Sequence, residues 1–327
     1  MQKRLIFRVD ANERIGRGHL SRCLAIAEML ESEFVILFIS YLENREYIVN
    51  LCIPYPYETI ASDVEFYQFV SQNDIVWLDG YTFSEDFKKH LRLRVFKLVE
   101  TNDIPYRVEN VDILFNHSPG VEYKHFDVVS HNTTLYLGLQ YALLRGAFLQ
   151  KARDYVQPAC GLGVFVSFGG SDSYNLGQRF VEGLVEQGFE DPIYWVSCRD
   201  RAYPVVLAEN VHVLRHLTQH EMIHYMNKSK VLLIPSSVLS FEAVALRRPF
   251  YTGYFVDNQR YNAEGLKEEN LALGCQNLGL DKFFKSALSE FLDFYEDQNK
   301  QMKLVQNQLN SIDGYSASRI ACIMTSI

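Results

Sequence analysis

The stretch Phe7-Arg8-Val9-Asp10-Ala11-Asn12-Glu13-Arg14-Ile15-Gly16-Arg17-Gly18-His19-Leu20-Ser21-Arg22-Cys23 sets a titratable base at the junction of two kinds of structure. Leu5 to Val9 reads as an apolar strand. Leu20, Leu24, Ala27 and Leu30 then recur at helical spacing. A strand that passes through Gly16 and Gly18 into a helix leaves backbone N–H groups and a positive dipole end in a crevice, which suits an anion such as a pyrophosphate. His19 falls at or next to the helix start. The dipole there disfavours imidazolium, so the ring is suited to act as a general base. The plain alternative is a tight strand-to-helix turn with His19 as an ordinary first-turn residue. A dinucleotide fingerprint needs a glycine where Ser21 stands, and no Gly-Lys-Ser/Thr follows, so neither NAD nor ATP binding is supported.

Four further clusters have chemical potential. In Ser167-Phe168-Gly169-Gly170-Ser171-Asp172-Ser173-Tyr174-Asn175, two glycines free the backbone to approach a ligand and Ser171 offers a hydroxyl, which suits a diphosphate. The alternative is a turn capped by Asp172 or Asn175. In Pro235-Ser236-Ser237-Val238-Leu239-Ser240-Phe241-Glu242, the serines could donate to phosphate and Glu242 could accept from a ribose hydroxyl pair; a capping box would need no ligand. Asp257-Asn258-Gln259 suits sugar hydroxyls and suits a turn equally well. Asp79-Gly80-Tyr81 ends a strand and would point toward the same crevice as His19. His212, His216, His220 and His224 invite a metal, but only His220 and His224 could share a helix face, and no Glu-x-x-His pairing frames a zinc site.

The elements that must position these residues alternate regularly. After the opening unit the pattern predicts strands at Phe34–Ser40, Tyr57–Ile60, Asp74–Asp79, Val95–Glu100 and Asp112–Phe115. Helices fall at Asn44–Leu51, Asp63–Ser71 and Ser84–Leu91. Asp154–Gly163 reads as a linker. The alternation then restarts, with strands at Leu162–Phe168, Ile193–Ser197, Val211–Leu214, Lys230–Pro235 and Pro249–Gly253. Helices are expected at Leu176–Gln187, Gln219–Asn227, Val238–Leu246 and Gln259–Glu269. Asp281–Leu309 reads as one long helix and Tyr315–Ser326 as a last one. The expected architecture is α/β, with two Rossmann-like doubly wound domains facing each other across a cleft. Residues 1–153 form the first domain and carry the catalytic loop. Residues 162–310 form the second, nucleotide-binding domain, and 311–327 pack back on the first.

Composition narrows the function classes. A net charge of −8 over 327 residues argues against a nucleic-acid or membrane-surface binder. The six cysteines are scattered and read as reduced thiols of a cytoplasmic protein. Cys23 falls on the buried side of its helix, which disfavours it as a nucleophile. No apolar run approaches the roughly 20 residues of a membrane span.

Taken together, the motifs resemble the UDP-sugar hydrolase family of pseudaminic acid biosynthesis, related to the MurG-like glycosyltransferases of GT-B fold. The resemblance rests on Phe7-Arg8-Val9-Asp10-Ala11, Ile15-Gly16-Arg17-Gly18-His19, Arg22-Cys23-Leu24, Asp79-Gly80-Tyr81, Leu137-Gly138 and Tyr141-Ala142-Leu143-Leu144-Arg145. It continues through Phe168-Gly169-Gly170-Ser171-Asp172, Ser236-Ser237, Glu242-Ala243, Asp257-Asn258-Gln259 and Asp313-Gly314. It implies hydrolysis of UDP-2,4-diacetamido-2,4,6-trideoxy-β-L-altropyranose, or a similar UDP-linked sugar, with no cofactor and no metal. His19 matches the catalytic base; Tyr81 and Asn258 match sugar-site residues. Asp10, Gly16, Gly18, Arg22, Gly169, Gly170, Ser171, Ser236, Ser237, Glu242 and Gln259 are implied to bind substrate or UDP. Two departures bear on the sugar rather than the fold. Gly80 stands where the family commonly has an acid or histidine, and Thr101-Asn102-Asp103 replaces a more usual pair of aspartates. The expected partner is a UDP-sugar, with no nucleic acid and no membrane span, and the expected state is a monomer or weak homodimer. The competing readings are a GT-B glycosyltransferase and a non-catalytic nucleotide-sugar binding protein.

Overall fold

A computed structural model describes residues 2–12, 15–129, 132–155, 161–170, 172, 174–197 and 208–327. The first half runs β1 (Arg4–Val9), α1 (Gly18–Leu30), β2 (Val35–Tyr41), α2 (Arg45–Asn50), β3 (Tyr57–Ile60), α3 (Asp63–Phe69), β4 (Ile75–Asp79) and α4 (Glu85–Arg92). It continues with β5 (Lys97–Thr101), β6 (Arg107–Val108), β7 (Ile113–Asn116), β8 (Asp127–Val128), β9 (Thr134–Leu137) and α5 (Gly146–Arg153). The second half runs β10 (Val164–Ser167), α6 (Leu176–Glu186), β11 (Ile193–Val196), β12 (Val211–Leu214), α7 (Gln219–Lys228), β13 (Val231–Pro235) and α8 (Val238–Ala245). It ends with β14 (Phe250–Tyr254), α9 (Arg260–Glu268), β15 (Leu273–Asn277), α10 (Asp281–Glu296), α11 (Gln298–Gln308) and α12 (Ser316–Thr325). The chain divides into two compact units, one of Met1–Gly146 with Tyr315–Ile327 and one of Ala147–Gly314.

The first unit holds a seven-stranded sheet in the order β3-β2-β1-β4-β5-β7-β9, and its strand pairs are parallel. Parallel strands covered on both faces are apolar on both faces, and the residue period of two divides them. Leu5, Phe7, Val9, Ile75 and Trp77 join the core that α1 and α12 cover. Ile6, Val76 and Leu78 join the opposite core with Phe87 and Leu91 of α4. The same alternation puts Asp79 on the face of Ile75 and Trp77, under α1. The second unit holds a six-stranded parallel sheet, β12-β11-β10-β13-β14-β15. Strand order reverses at β1/β4 in one unit and at β10/β13 in the other. In each sheet, taken by itself, the switch point opens a crevice at the carboxyl ends of the strands, where ligands of such sheets bind.

Several elements differ from the pattern. The helix expected over Asp281–Leu309 is two, α10 and α11. Asp297, with φ −89° and ψ 83°, breaks the run, and its carboxylate starts the next helix by accepting from the Lys300 N–H at 3.0 Å. The 44–51 segment opens with a 3₁₀ turn, Leu42–Asn44, before α2. Strands β9 and β15 and helix α5 have no counterpart in the pattern. Both strands are sheet edges with half-exposed or polar residues, so they lack the apolar run of a central strand. The expected linker at 154–163 includes residues 156–160, which lie outside the described residues.

Helix α12 returns to the first unit. Ile320 and Met324 are buried in the core beneath α1, and Ser316 Oγ donates to the Ala142 carbonyl at 2.7 Å. Truncating Ile320, which is fully buried, leaves a cavity. Ile320→Ala is therefore expected to cost about 2–5 kcal/mol, read as a lowered urea midpoint. A loss below half a kcal/mol would contradict this packing.

Candidate active site

The geometry at the β1/β4 switch point starts with the loop that delivers α1. Asp10 Oδ2 accepts from Arg8 Nη1 at 2.9 Å, and Oδ1 accepts from the Tyr41 N–H at 2.9 Å and from Asn44 Nδ2 at 2.8 Å. Asn44 Oδ1 accepts from Asn12 Nδ2 at 2.8 Å, and Asn12 Oδ1 accepts from the Ile15 N–H at 2.8 Å. The Gly16 N–H donates to the Asn12 carbonyl at 2.7 Å. Gly16 has φ +82°, which explains glycine there, since a side chain in that region is strained. Gly18 faces open space where a Cβ would stand. Asp10 thus has both oxygens engaged by the protein and acts on the shape of the loop.

His19 is the second residue of α1. Positions 19, 22 and 23 share one helix face, and that face lies over Asp79. His19 Nδ1 is 2.7 Å from Asp79 Oδ1. Arg22 grips the same carboxylate with two bonds, Nε to Oδ2 at 2.8 Å and Nη2 to Oδ1 at 2.7 Å. Its Nη1 donates to Asp103 Oδ1 at 2.5 Å, and Asp103 Oδ2 accepts from Tyr81 Oη at 2.5 Å. The Tyr81 ring meets the His19 ring edge-on, with centroids 4.8 Å apart. His117, just after β7, accepts the Leu143 N–H on Nδ1 at 3.1 Å. Its Nε2 lies 3.4 Å from Arg22 Nη1 and 3.7 Å from Asp103 Oδ1.

Charge is distributed sharply. Burial alone would raise the Asp79 carboxyl, but the Arg22 guanidinium and then His19 outweigh it and hold the group below the usual carboxylate range. Asp103 is likewise held low, burial being overcome chiefly by the Arg22 guanidinium. The two carboxylates in turn overcome burial at Arg22 and keep it firmly charged. Burial, followed by Arg22, pushes His117 down to about 4, so this imidazole is neutral. Burial and Asp79 push the Cys23 thiol well up, which leaves it a poor nucleophile. An ionised Asp79 can only accept, so the proton in the His19 contact belongs to Nδ1; in the neutral ring the lone pair is then on Nε2.

In the second unit the candidates follow β10, β13 and β14, which are neighbours in the sheet. Gly169, with φ +79°, and Gly170 are exposed after β10, and a Cβ at Gly169 would meet nothing within 4 Å. Ser171 lies outside the described residues. The Asp172 carboxylate accepts the N–H of Leu176 at 2.7 Å and of Gly177 at 2.9 Å, so the start of α6 is filled by the chain's own anion. Asn175 holds the N-cap position, left-handed at φ 54°, without a side-chain capping bond. Ser236 is buried, and its Oγ bonds Thr252 Oγ1 at 2.9 Å and the Gly253 carbonyl at 3.0 Å, a link between strands. Ser237 is the N-cap of α8 and makes no capping bond, so the alternative of a capping box there is not met. Glu242 is buried on α8. Asn258 lies in the 3₁₀ turn Asp257–Gln259 after β14, and buried Gln259 accepts from the Phe255 N–H at 3.3 Å.

The structure therefore joins His19, Arg22 and Tyr81 into one cluster. It assigns Asp10 and Ser236 to framework bonds, and places Gly169, Gly170, Ser237, Asn258 and Gln259 after the ends of adjoining strands, with Glu242 within α8. Sequence reasoning gave Asp103 no role and passed over His117. The available signal was position: each is among the first polar residues beyond a buried strand of the sheet that carries Asp79.

No family model matches the chain. It is similar to a curated protein, UDP-2,4-diacetamido-2,4,6-trideoxy-beta-L-altropyranose hydrolase of Campylobacter jejuni subsp. jejuni. The two are 24% identical over 273 residues, which is 81% of this chain and 97% of that protein. The resemblance read from the motifs points to the same protein. Among solved structures it is similar to Acinetobacter baumannii MurG, 11% identical with a TM-score of 0.66, with 100% of each chain covered. It is also similar to HepE of Anabaena in complex with UDP-glucose, 12% identical with a TM-score of 0.60, again with 100% of each covered. The fold is that of the GT-B glycosyltransferases.

The pH dependence of stability follows from His117. In the folded chain its proton affinity falls from the ordinary 6.5 to about 4, so the unfolded chain binds more protons between those values. Stability is complete above 6.5 and is lost as pH falls toward 4, by about 3 kcal/mol at the limit. Urea midpoints should therefore drop between pH 7 and pH 5. His117→Asn, whose Oδ1 can take over the Leu143 N–H, should flatten that slope; an unaltered slope would contradict the neutral, buried assignment.

Proposed function

We propose that the chain is an enzyme acting on UDP-sugars. More narrowly, it is a hydrolase that cleaves the C1–O bond of a UDP-linked diacetamido-trideoxyhexose to give UDP and the free sugar. The observation that carries this reading is the His19–Asp79 pair at the β1/β4 switch point, with Nδ1 2.7 Å from the carboxylate. The likeness to the Campylobacter hydrolase supports the substrate class.

In this mechanism His19 Nε2 takes a proton from water as the water oxygen bonds to the anomeric carbon. The C1–O bond breaks and its electron pair leaves on UDP. The imidazolium so formed keeps its Nδ1–H on Asp79, whose negative charge faces the new positive one. General-base help of this kind is worth about two to four orders of magnitude in rate. The nucleotide is assigned to the second unit, to Gly169, Gly170, Ser171, Ser237 and the uncapped start of α8. Fixed N–H dipoles there would stabilise the departing diphosphate. Glu242, Asn258 and Gln259 are assigned to the ribose and sugar hydroxyls. The same reading puts the reaction in the cytoplasm, in nonulosonic (pseudaminic) acid or surface polysaccharide synthesis.

Incubation with UDP-linked 2,4-diacetamido sugars and no acceptor should release equal amounts of UDP and free sugar. His19→Asn should bind UDP as the parent does, by calorimetry, and lose about a hundred- to ten-thousandfold in kcat. Near-parental turnover by that variant would end the base assignment. Turnover only on addition of a sugar or lipid acceptor would make the enzyme a transferase.

A further inference from the structure

Asp103 accounts for the shape of the His19 environment in a way that Asp79 alone does not. Its two oxygens are divided: Oδ1 takes Arg22 Nη1 and Oδ2 takes Tyr81 Oη, each at 2.5 Å. Asp103 is itself buried, whereas Tyr81 is 44% exposed and its ring stands T-shaped against that of His19. An exposed aromatic ring at a loop has several rotamers open to it, and a charge-assisted bond at its hydroxyl selects one. An ionised carboxylate cannot donate, so the phenolic proton lies on Asp103. Any bond the Tyr81 hydroxyl makes to a ligand then has the hydroxyl as acceptor.

The loop that carries Asp103 is rigidly held. Asn102 Oδ1 accepts from the Ile104 N–H at 3.0 Å, and Asn102 Nδ2 donates to Glu100 Oε1 at 3.2 Å. Glu100, buried in β5, is paired with Lys88 of α4 at 3.2 Å and accepts from Tyr106 Oη at 2.6 Å. A buried ion pair therefore fixes the loop from behind, while Arg22 and Tyr81 meet Asp103 from the front.

We infer that Asp103 is a positioning residue for the reaction: it holds the Tyr81 ring against His19 and, through Arg22, holds the Asp79 carboxylate that orients His19. This rests on the reading of His19 as the base. It departs from a role in which the Tyr81 hydroxyl acts on the sugar by itself.

A double-mutant cycle tests it. Asp103→Asn and Tyr81→Phe should each lower kcat by on the order of ten- to a hundredfold, with KM within about threefold of the parent. The double variant should be no slower than Asp103→Asn, because the hydroxyl acts through that carboxylate. Multiplying losses, or an unchanged kcat in Asp103→Asn, would overturn the proposal. A second readout does not need turnover. The carbon-bound imidazole proton signals of His19, assigned with His19→Asn, should move in both Tyr81→Phe and Asp103→Asn as the aromatic ring at position 81 leaves its fixed place beside His19. Fixed signals in both variants would overturn the proposal as well. If Asp103→Asn does not fold, Tyr81→Phe alone carries the signal test. Failure of the parent enzyme on every UDP-sugar would strike the hydrolase reading and leave the signal test standing.

Discussion

Arg22 sits between two buried carboxylates, Asp79 and Asp103, and the geometry around His19 depends on that arrangement. Three charges are out of water, and each alone would be costly there. Removing one partner of a buried pair typically costs about 3–5 kcal/mol, because the other charge is stranded. The cluster is also held by covalent topology. Arg22 and His19 come from one helix, Asp79 from β4, and Asp103 from the loop after β5. Bringing them together requires the parallel pairing of β1 with β4 and of β4 with β5. Fold and site are in this sense one construction: the sheet places the carboxylates, and Arg22 links them to the helix that carries His19.

The two units repeat one physical solution with different chemistry. Each is a parallel sheet whose order reverses beside its first strand, and each opens polar loops at the reversal. In the first unit the reversal gathers His19 and Arg22 of α1, Asp79 at the end of β4 and Asp103 of the loop after β5. In the second the loops carry glycines, serines and amides. The Asp172 carboxylate fills the start of α6, so the start of α8, capped by no side chain, is the better candidate there for an outside anion.

Much of this was legible in the sequence because it depends on local patterns. The strand–loop–helix from Leu5 to Leu30 was readable from apolar runs and helical spacing, and it put His19 at the helix start. The alternation of short strands and helices implied two doubly wound sheets. What was not legible depends on contacts far apart in the chain. Nothing near Asp10 says that it would be drawn into bonds with Tyr41 and Asn44 instead of facing a ligand. Nothing near His117 says that it would lie beside Arg22, 95 residues earlier. The break at Asp297 was hidden because neither glycine nor proline stands in the polar run Glu296–Gln301, and the capping carboxylate is what marks the new start.

The central claim is that water attacks the anomeric carbon and UDP departs with the glycosidic oxygen. Turnover of the UDP-sugar in ¹⁸O-labelled water, without any acceptor, tests it most directly. The account predicts label in the released sugar and none in the β-phosphate of UDP. Label in that phosphate, or no UDP released until an acceptor is added, would contradict it.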